Sequence, residues 1–188
     1  MTERRLHGLW MLWLLLAVLW PGATFARNIT VETVAARIDE ERFVVDARLD
    51  VKLNKNTLEA LENGVTLEFD LESRLMRPRR FWWDAEVITA TRRFLLSRHA
   101  LADGYTLSEP GADQQHTFKN IEEALDALGD VRDFVVGQAA ADKPVKKYRA
   151  RLRLRLDIEA LPAPLRPIAY VSPGWRVSSG WYEWVFVP

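Results

Sequence analysis

The feature that most constrains the fold is a strict alternation of apolar and charged residues over Tyr148 to Ile158. The even positions are apolar, and the odd positions from Lys147 to Asp157 are charged. A period of two is that of a β-strand with one buried and one wetted face. Such clean alternation favours an antiparallel sheet.

The same pattern recurs elsewhere in the chain. Further strands are predicted at Phe43–Leu53 and Val65–Glu72, with weaker candidates at Ile29–Ile38 and Tyr105–Leu107. The stretch from Phe81 to Ser97 is also strand-like, but its apolar positions change phase between Val87 and Ile88. A bend or β-bulge there would return both halves to one core.

Two short helices are expected between the strands. The first is predicted to begin at Asn56, which has Glu59 three residues on, and to end at Gly64. The second is predicted to begin at Asn120, with an apolar stripe every three to four residues, and to end at Gly129. Each helix is too short to be stable alone and must dock on the sheets.

These patterns predict a mainly β fold. It is an antiparallel β-sandwich with two short helices, and an immunoglobulin-like topology is one option. The chain has no cysteine, so no disulfide framework holds it and its stability rests on an apolar core. A chain of this length buries roughly 68–70% of its unfolded surface, which suffices for one domain.

The first residues have the composition of a secretory signal. Arg4 and Arg5 precede an uncharged run from Leu9 to Trp20, and Ala26 closes a segment of small residues. The run is shorter than the roughly 20 residues that cross a bilayer. We therefore expect a cleaved signal peptide over residues 1–26 and one periplasmic domain over residues 27–188, with retention as an anchor left open.

Catalytic and metal signatures are weak, so we expect no enzyme, no cofactor and no metal site. Beyond residue 26 the histidines are His99 and His116, whose spacing is not that of metal ligands. Asp84 and Glu86 could share a strand face as a glycosidase pair would, but such pairs are usually solvated. The 26 basic and 26 acidic residues balance, which argues against a nucleic-acid partner.

Charged stripes offer a first candidate surface. The predicted strand at 148–158 carries four arginines two residues apart, and the strand at 65–72 carries three acidic residues with the same period. These residues are Arg149, Arg151, Arg153 and Arg155, and Glu68, Asp70 and Glu72. We expect the two stripes to pair across adjacent strands. A double charge reversal at Arg151 and Asp70 would test this, and the open alternative is that the arginines bind anionic polysaccharide or lipid headgroups.

A second candidate surface mixes arginine and aromatic residues. Four arginines lead into an aromatic run: Arg74, Arg77, Arg79 and Arg80, then Phe81, Trp82 and Trp83. Such a segment can stack on a sugar ring or lie at a membrane surface. The alternative is a loop that enters a buried strand.

The C-terminal block is the most distinctive part of the chain. Prolines between positions 162 and 173 predict a stiff, extended connection, and Pro173-Gly174 predicts a turn before Trp175. The final strand is apolar on both faces, so we expect it to be central or covered. Its two faces carry Trp181, Val185 and Val187, and Tyr182, Trp184 and Phe186. An edge position, with a strip for docking another protein, is the alternative.

This proline and tryptophan block, together with the Arg-Leu-Asp157 step and the Arg-Pro-Arg-Arg-Phe-Trp-Trp-Asp84 segment, resembles an exported proteobacterial family, the domain of unknown function 4390. The resemblance implies a signal peptide, one envelope domain and no established catalytic residues. It also suggests a partner, because members often sit beside genes for a membrane sensor histidine kinase.

We therefore expect an exported, non-enzymatic binding or accessory module with an envelope or inner-membrane protein partner. The alternative is a glycan- or lipid-binding or hydrolytic domain that uses the region from Arg74 to Trp83, and peripheral membrane contact is left open. The candidate interaction residues are Arg77, Arg79, Arg80, Trp82, Trp83, Trp175, Trp181 and Trp184.

Overall fold

The computed structural model describes residues 28–79, 84–99, 103–112, 115–138 and 147–188. These ranges form two antiparallel sheets with helices at their margins. The strands are β1 (Ile29–Asp39), β2 (Arg42–Val51), β3 (Leu67–Arg77), β4 (Ala85–His99), β5 (Gly104–Ser108), β6 (Gln115–Phe118), β7 (Asp130–Gln138), β8 (Tyr148–Leu156) and β9 (Tyr182–Phe186). The helices are α1 (Lys55–Glu62), α2 (Ile121–Gly129), α3 (Arg166–Val171) and a 3-10 turn (Pro173–Trp175).

One sheet has three strands in the order β1-β2-β7, and the other has six in the order β6-β5-β4-β3-β8-β9. Every described strand pair is antiparallel. The mainly β, two-sheet prediction is therefore confirmed. Most neighbouring strands are consecutive in the chain, but β2 pairs with β7 and β3 pairs with β8. This order differs from that of the two sheets of an immunoglobulin domain, so that option does not hold.

The core lies between the two sheets and is built from the apolar positions of the alternating strands. The inward residues of β3 and β8 are almost wholly buried, and they meet inward residues of β2 and β7. Phe43 of β2 contacts Phe186 of β9 edge to face, with ring centroids 5.0 Å apart. The central members are Phe43, Leu49, Phe69, Leu71, Leu75, Phe134, Leu152 and Leu154.

The phase change in β4 is a β-bulge. Leu75 lies opposite Ile88, whereas the next residue of β3, Met76, lies opposite Glu86. Val87 is therefore the extra residue on β4, at the point where the sequence pattern slips. The bulge returns both halves of the strand to the same sheet.

The helix predictions are confirmed for α2 and corrected for the start of α1. Asn120 caps α2 by accepting a hydrogen bond from the Glu123 N–H at 2.9 Å. The cap of α1 is Asn54 and not Asn56, because the Asn54 side chain accepts from the N–H groups of both Asn56 and Thr57. Gly64 has φ +84°, which fits its predicted role after the helix end.

The proline-rich connection was predicted to be extended, and that prediction is wrong. It contains α3, a helix that the sequence patterns did not reveal. Pro167 occupies the start of the helix, where its missing N–H costs no intrahelical hydrogen bond. The turn at Pro173-Gly174 is present as the 3-10 turn.

Among the described helices, none has the length and apolar composition needed to cross a bilayer. The predicted signal peptide and its cleavage point lie outside the described residues.

Candidate functional site

The predicted pairing of the charged stripes is present at the centre of the six-stranded sheet. β3 and β8 are neighbours, and their register sets Asp70 opposite Arg155 and Glu72 opposite Arg153. The Arg155 guanidinium donates to Asp70 and to Glu72, each at 2.7 Å, and Arg153 donates to Glu72 at 2.7 Å. We call this set of four residues the ion-pair ladder.

Both carboxylates of the ladder are buried, but their surroundings act in opposite directions. At Glu72 burial favours the neutral form, yet hydrogen bonds from Arg155 and Arg153 outweigh it and lower the pKa of the carboxyl. At Asp70 burial raises the pKa, and the nearby carboxylates of Asp157 and Glu72 add to this although Arg155 opposes it. The ladder thus contains one well-compensated and one poorly compensated acid.

The outer two arginines of the stripe are engaged as well. Arg149 pairs with Asp84 at 2.6 Å, and Arg151 pairs with Glu183 of β9 at 2.7 Å. Arg151 lies opposite Arg74 in the β3–β8 register, so the partnership with Asp70 considered above is wrong. All four arginines of the stripe therefore have acidic partners within the domain.

Trp181 packs over Arg153 of the ladder and over Arg74 of β3. The guanidinium of Arg153 lies 4.4 Å from the centroid of its ring, and that of Arg74 lies 4.8 Å from it. Cations at these distances are attracted to the aromatic face. Trp181 therefore stabilises the arginines of the sheet, which limits its role as an exposed contact.

The other candidate residues fall into three groups. Arg77 is partly buried at the end of β3, and Arg79 is exposed two residues beyond it. Trp175 is the last residue of the 3-10 turn and is buried in the core, so its expected role in an exposed contact is corrected. The remaining candidates lie outside the described residues: Arg80, Trp82 and Trp83.

The carboxylates proposed as a hydrolytic pair are both held by arginines. Asp84 accepts the ion pair from Arg149 at 2.6 Å, and Glu86 lies 3.5 Å from Arg74. Both side chains therefore take part in ion pairs of the sheet, Asp84 from a mostly buried position and Glu86 from an exposed one.

A cluster of three carboxylates was not predicted, because it contains no histidine or cysteine and joins residues that are far apart in the sequence. Glu68, Asp70 and Asp157 place one oxygen each within 4.8 Å of one another. Arg155 lies 2.7 Å from Asp70, and Arg93 lies 3.4 Å from Glu68. Carboxylates of this kind are suitable ligands for a hard cation, but these guanidinium groups already supply positive charge to the cluster.

The C-terminal strand was expected to be central or covered, and this prediction is wrong. Among the described strands, β9 pairs only with β8 and lies at an edge of the six-stranded sheet, which is the alternative given above. Phe186 is buried and Trp184 packs partly against the core, while Tyr182 is 41% and Val185 64% exposed. Val187, which follows the strand, is 61% exposed.

Comparison with known proteins gives a family and no individual relative. No curated protein and no solved structure matches the chain. The family model described as domain of unknown function (DUF4390) matches residues 26–185. The chain therefore belongs to the domain of unknown function family DUF4390.

Proposed function

We propose that this protein is a non-enzymatic binding module of the cell envelope that recruits a protein partner by accepting an added strand at β9. The observation that carries the proposal is the exposed edge of β9, with its apolar side chains at Tyr182, Val185 and Val187. An edge strand presents unpaired backbone groups, and an extended segment of another protein can pair with them.

The other sheet edges are better protected against such pairing. β1 carries Glu32, Arg37 and Asp39, and β7 carries charges at three of its nine positions. β6 is polar and only four residues long. β9 carries one charge, Glu183, which is already paired with Arg151. Charged residues on an edge discourage further pairing, so β9 is the most receptive of the described edges.

The location and the partner are drawn from the sequence. The predicted signal peptide supports a place in the periplasm, and the family resemblance suggests a membrane sensor histidine kinase as the partner. The ion pair between Asp84 and Arg149 at 2.6 Å supports a non-enzymatic role, because it engages the less exposed member of the candidate acid and base pair with a partner inside the domain.

The proposal is tested by photocrosslinking in cells. A photoreactive phenylalanine derivative replaces Tyr182, which is already aromatic and partly exposed, and the crosslinked species are identified by mass spectrometry. We expect one envelope protein to be crosslinked at Tyr182. The added substitution Val185→Lys should abolish the product, because lysine on an edge strand opposes pairing.

Val135→Lys is the matched control, since Val135 is an exposed valine on β7, an edge of the other sheet. It should leave the Tyr182 crosslink unchanged. Absence of a specific protein product, or a product that survives Val185→Lys, would contradict the proposal.

A further inference from the structure

The short helix α3 has its apolar side turned outward. Its one buried residue is Ala169, while Ile168, Tyr170 and Val171 are 55%, 50% and 80% exposed. At about 100° per residue, Val171 and Pro167 point away from Ala169, with Tyr170 and Ile168 on either side. A surface helix normally places its polar face outward. This reversal marks α3 as a contact surface.

The charged residues within this segment of the chain have one sign. No aspartate or glutamate occurs between Glu159 and Glu183, and the charged residues in that interval are Arg166 and Arg176. Both arginines are exposed. Exposed apolar groups beside arginines complement an anionic lipid surface.

The backbone of the same segment has few free donors. Pro162, Pro164, Pro167 and Pro173 have no N–H group. The N–H groups of Leu165, Ala169, Ser172 and Trp175 donate within the segment at 2.9, 2.9, 3.0 and 3.2 Å. Moving such a backbone to the edge of a bilayer leaves few hydrogen bonds unmade. It is equally unsuited to pairing with an added strand, so the features of α3 favour lipid over a strand-adding protein.

The surface is held rigidly on the domain. Ala169 and Leu161 are in the core, and the Arg166 Nε donates to the carbonyl oxygen of Leu161 at 2.7 Å. The Asn54 side chain donates to the carbonyl of Gly174, which ties the 3-10 turn to the start of α1. The outward face of α3 is therefore already in place before any ligand binds.

We propose that the outward face of α3, flanked by Arg166 and Arg176, contacts the surface of an anionic lipid bilayer. This site is separate from β9 and goes beyond the proposed recruitment of a protein. The contact would hold the domain against a membrane while the β9 edge stays available.

The test uses the exported protein and vesicles of phosphatidylglycerol and phosphatidylcholine. Because the chain has no cysteine, Val171→Cys can carry a single environment-sensitive fluorophore. We expect its emission to shift to the blue with anionic vesicles and to stay unchanged with phosphatidylcholine alone. Val135→Cys, labelled in the same way on β7, is the matched control and should not respond.

Unlabelled variants measure the strength of the contact in vesicle sedimentation. Val171→Asp should weaken binding about tenfold, since it removes apolar contact and adds a repelled charge. Arg166→Gln and Arg176→Gln should each weaken it about fivefold and reduce its dependence on salt. Val185→Lys should leave vesicle binding intact, which separates this site from the one at β9.

Failure of the protein to bind anionic vesicles, equal binding to neutral vesicles, or equal responses at Val171 and Val135 would each overturn the proposal. A protein partner on α3 would give the first of these results. Circular dichroism of each variant establishes that the fold is retained, which is expected because Val171 is largely exposed.

Discussion

Glu72 and Asp70 stand two residues apart on β3, and the difference between them shows how the ladder balances its charges. Glu72 accepts hydrogen bonds from two guanidinium groups through one oxygen. Asp70 accepts one from Arg155, and its other oxygen accepts none from the described residues and lies 3.6 Å from Arg93. Glu72 is therefore the carboxylate that the arginines of the ladder compensate better.

Replacing Glu72 by glutamine should lower the free energy of unfolding at pH 7 by about 1–3 kcal/mol, because two partly buried guanidinium groups lose a charged acceptor. The folded-state pKa of Glu72 lies below the unfolded value of about 4.3. Its contribution is thus complete above that unfolded value and is lost as the pH falls through the folded pKa. The stability difference between the wild type and Glu72→Gln should therefore shrink on acidification.

Urea unfolding between pH 7 and pH 3 measures this difference. Glu86→Gln is the control, since the Glu86 side chain is exposed and lies 3.5 Å from Arg74. It should have little effect on stability at any pH. A Glu72→Gln deficit that is independent of pH would show that the loss comes from packing and not from charge.

The alternation of residue types was sufficient to locate strands but not to set their register. The stripes on β3 and β8 identified the two strands as partners, yet the sequence did not show that Arg155 and not Arg151 faces Asp70. A shift by two residues keeps the same faces buried, so the apolar pattern is equally satisfied. The start of α1 was also placed wrongly, because Asn54 and Asn56 are both good capping residues.

The apolar pattern of β9 did not decide between a central, a covered and an edge position. Strands that are apolar on both faces are usually central or covered. Trp181, which precedes β9, packs over the guanidinium groups of Arg153 and Arg74. The helix α3 was missed because it is six residues long and its apolar side faces solvent. β9 and α3, whose positions the sequence pattern did not predict, are the two elements for which we propose a partner or a ligand.

The two caps give a prediction at the scale of helices. Asn120→Ala should cost about 1 kcal/mol of stability, since it removes one capping hydrogen bond to α2. Asn54→Ala should cost more, about 2 kcal/mol, because Asn54 also donates to the carbonyl of Gly174 and so joins α1 to the 3-10 turn. Urea unfolding of both variants gives the comparison. Equal losses would mean that the contact with Gly174 contributes nothing.

The described residues of both sheets share one core. The apolar positions of the alternating strands supply that core, and the same alternation predicted a mainly β domain. Inward residues of β2 and β7 meet those of β3 and β8 across the interface. The end of α2 also packs closely against β2, since a Cβ added at Gly129 would lie 2.1 Å from the carbonyl oxygen of Leu49. Neither sheet has a separate core among the described residues.

A shared core predicts that the two sheets unfold in one transition. Tryptophan fluorescence has contributions from every tryptophan of the chain, among them Trp181 and Trp184 beside and within β9 of the six-stranded sheet. It should change at the same urea concentration as far-UV circular dichroism, which reports on both sheets. Phe43→Leu should lower the midpoint of both signals together by the equivalent of about 1–2 kcal/mol. The reason is that Phe43 belongs to the three-stranded sheet but contacts Phe186 of the other. If the dichroism of the variant fell before its fluorescence, the three-stranded sheet would be a separately unfolding unit, and the contact between Phe43 and Phe186 would not couple it to β9.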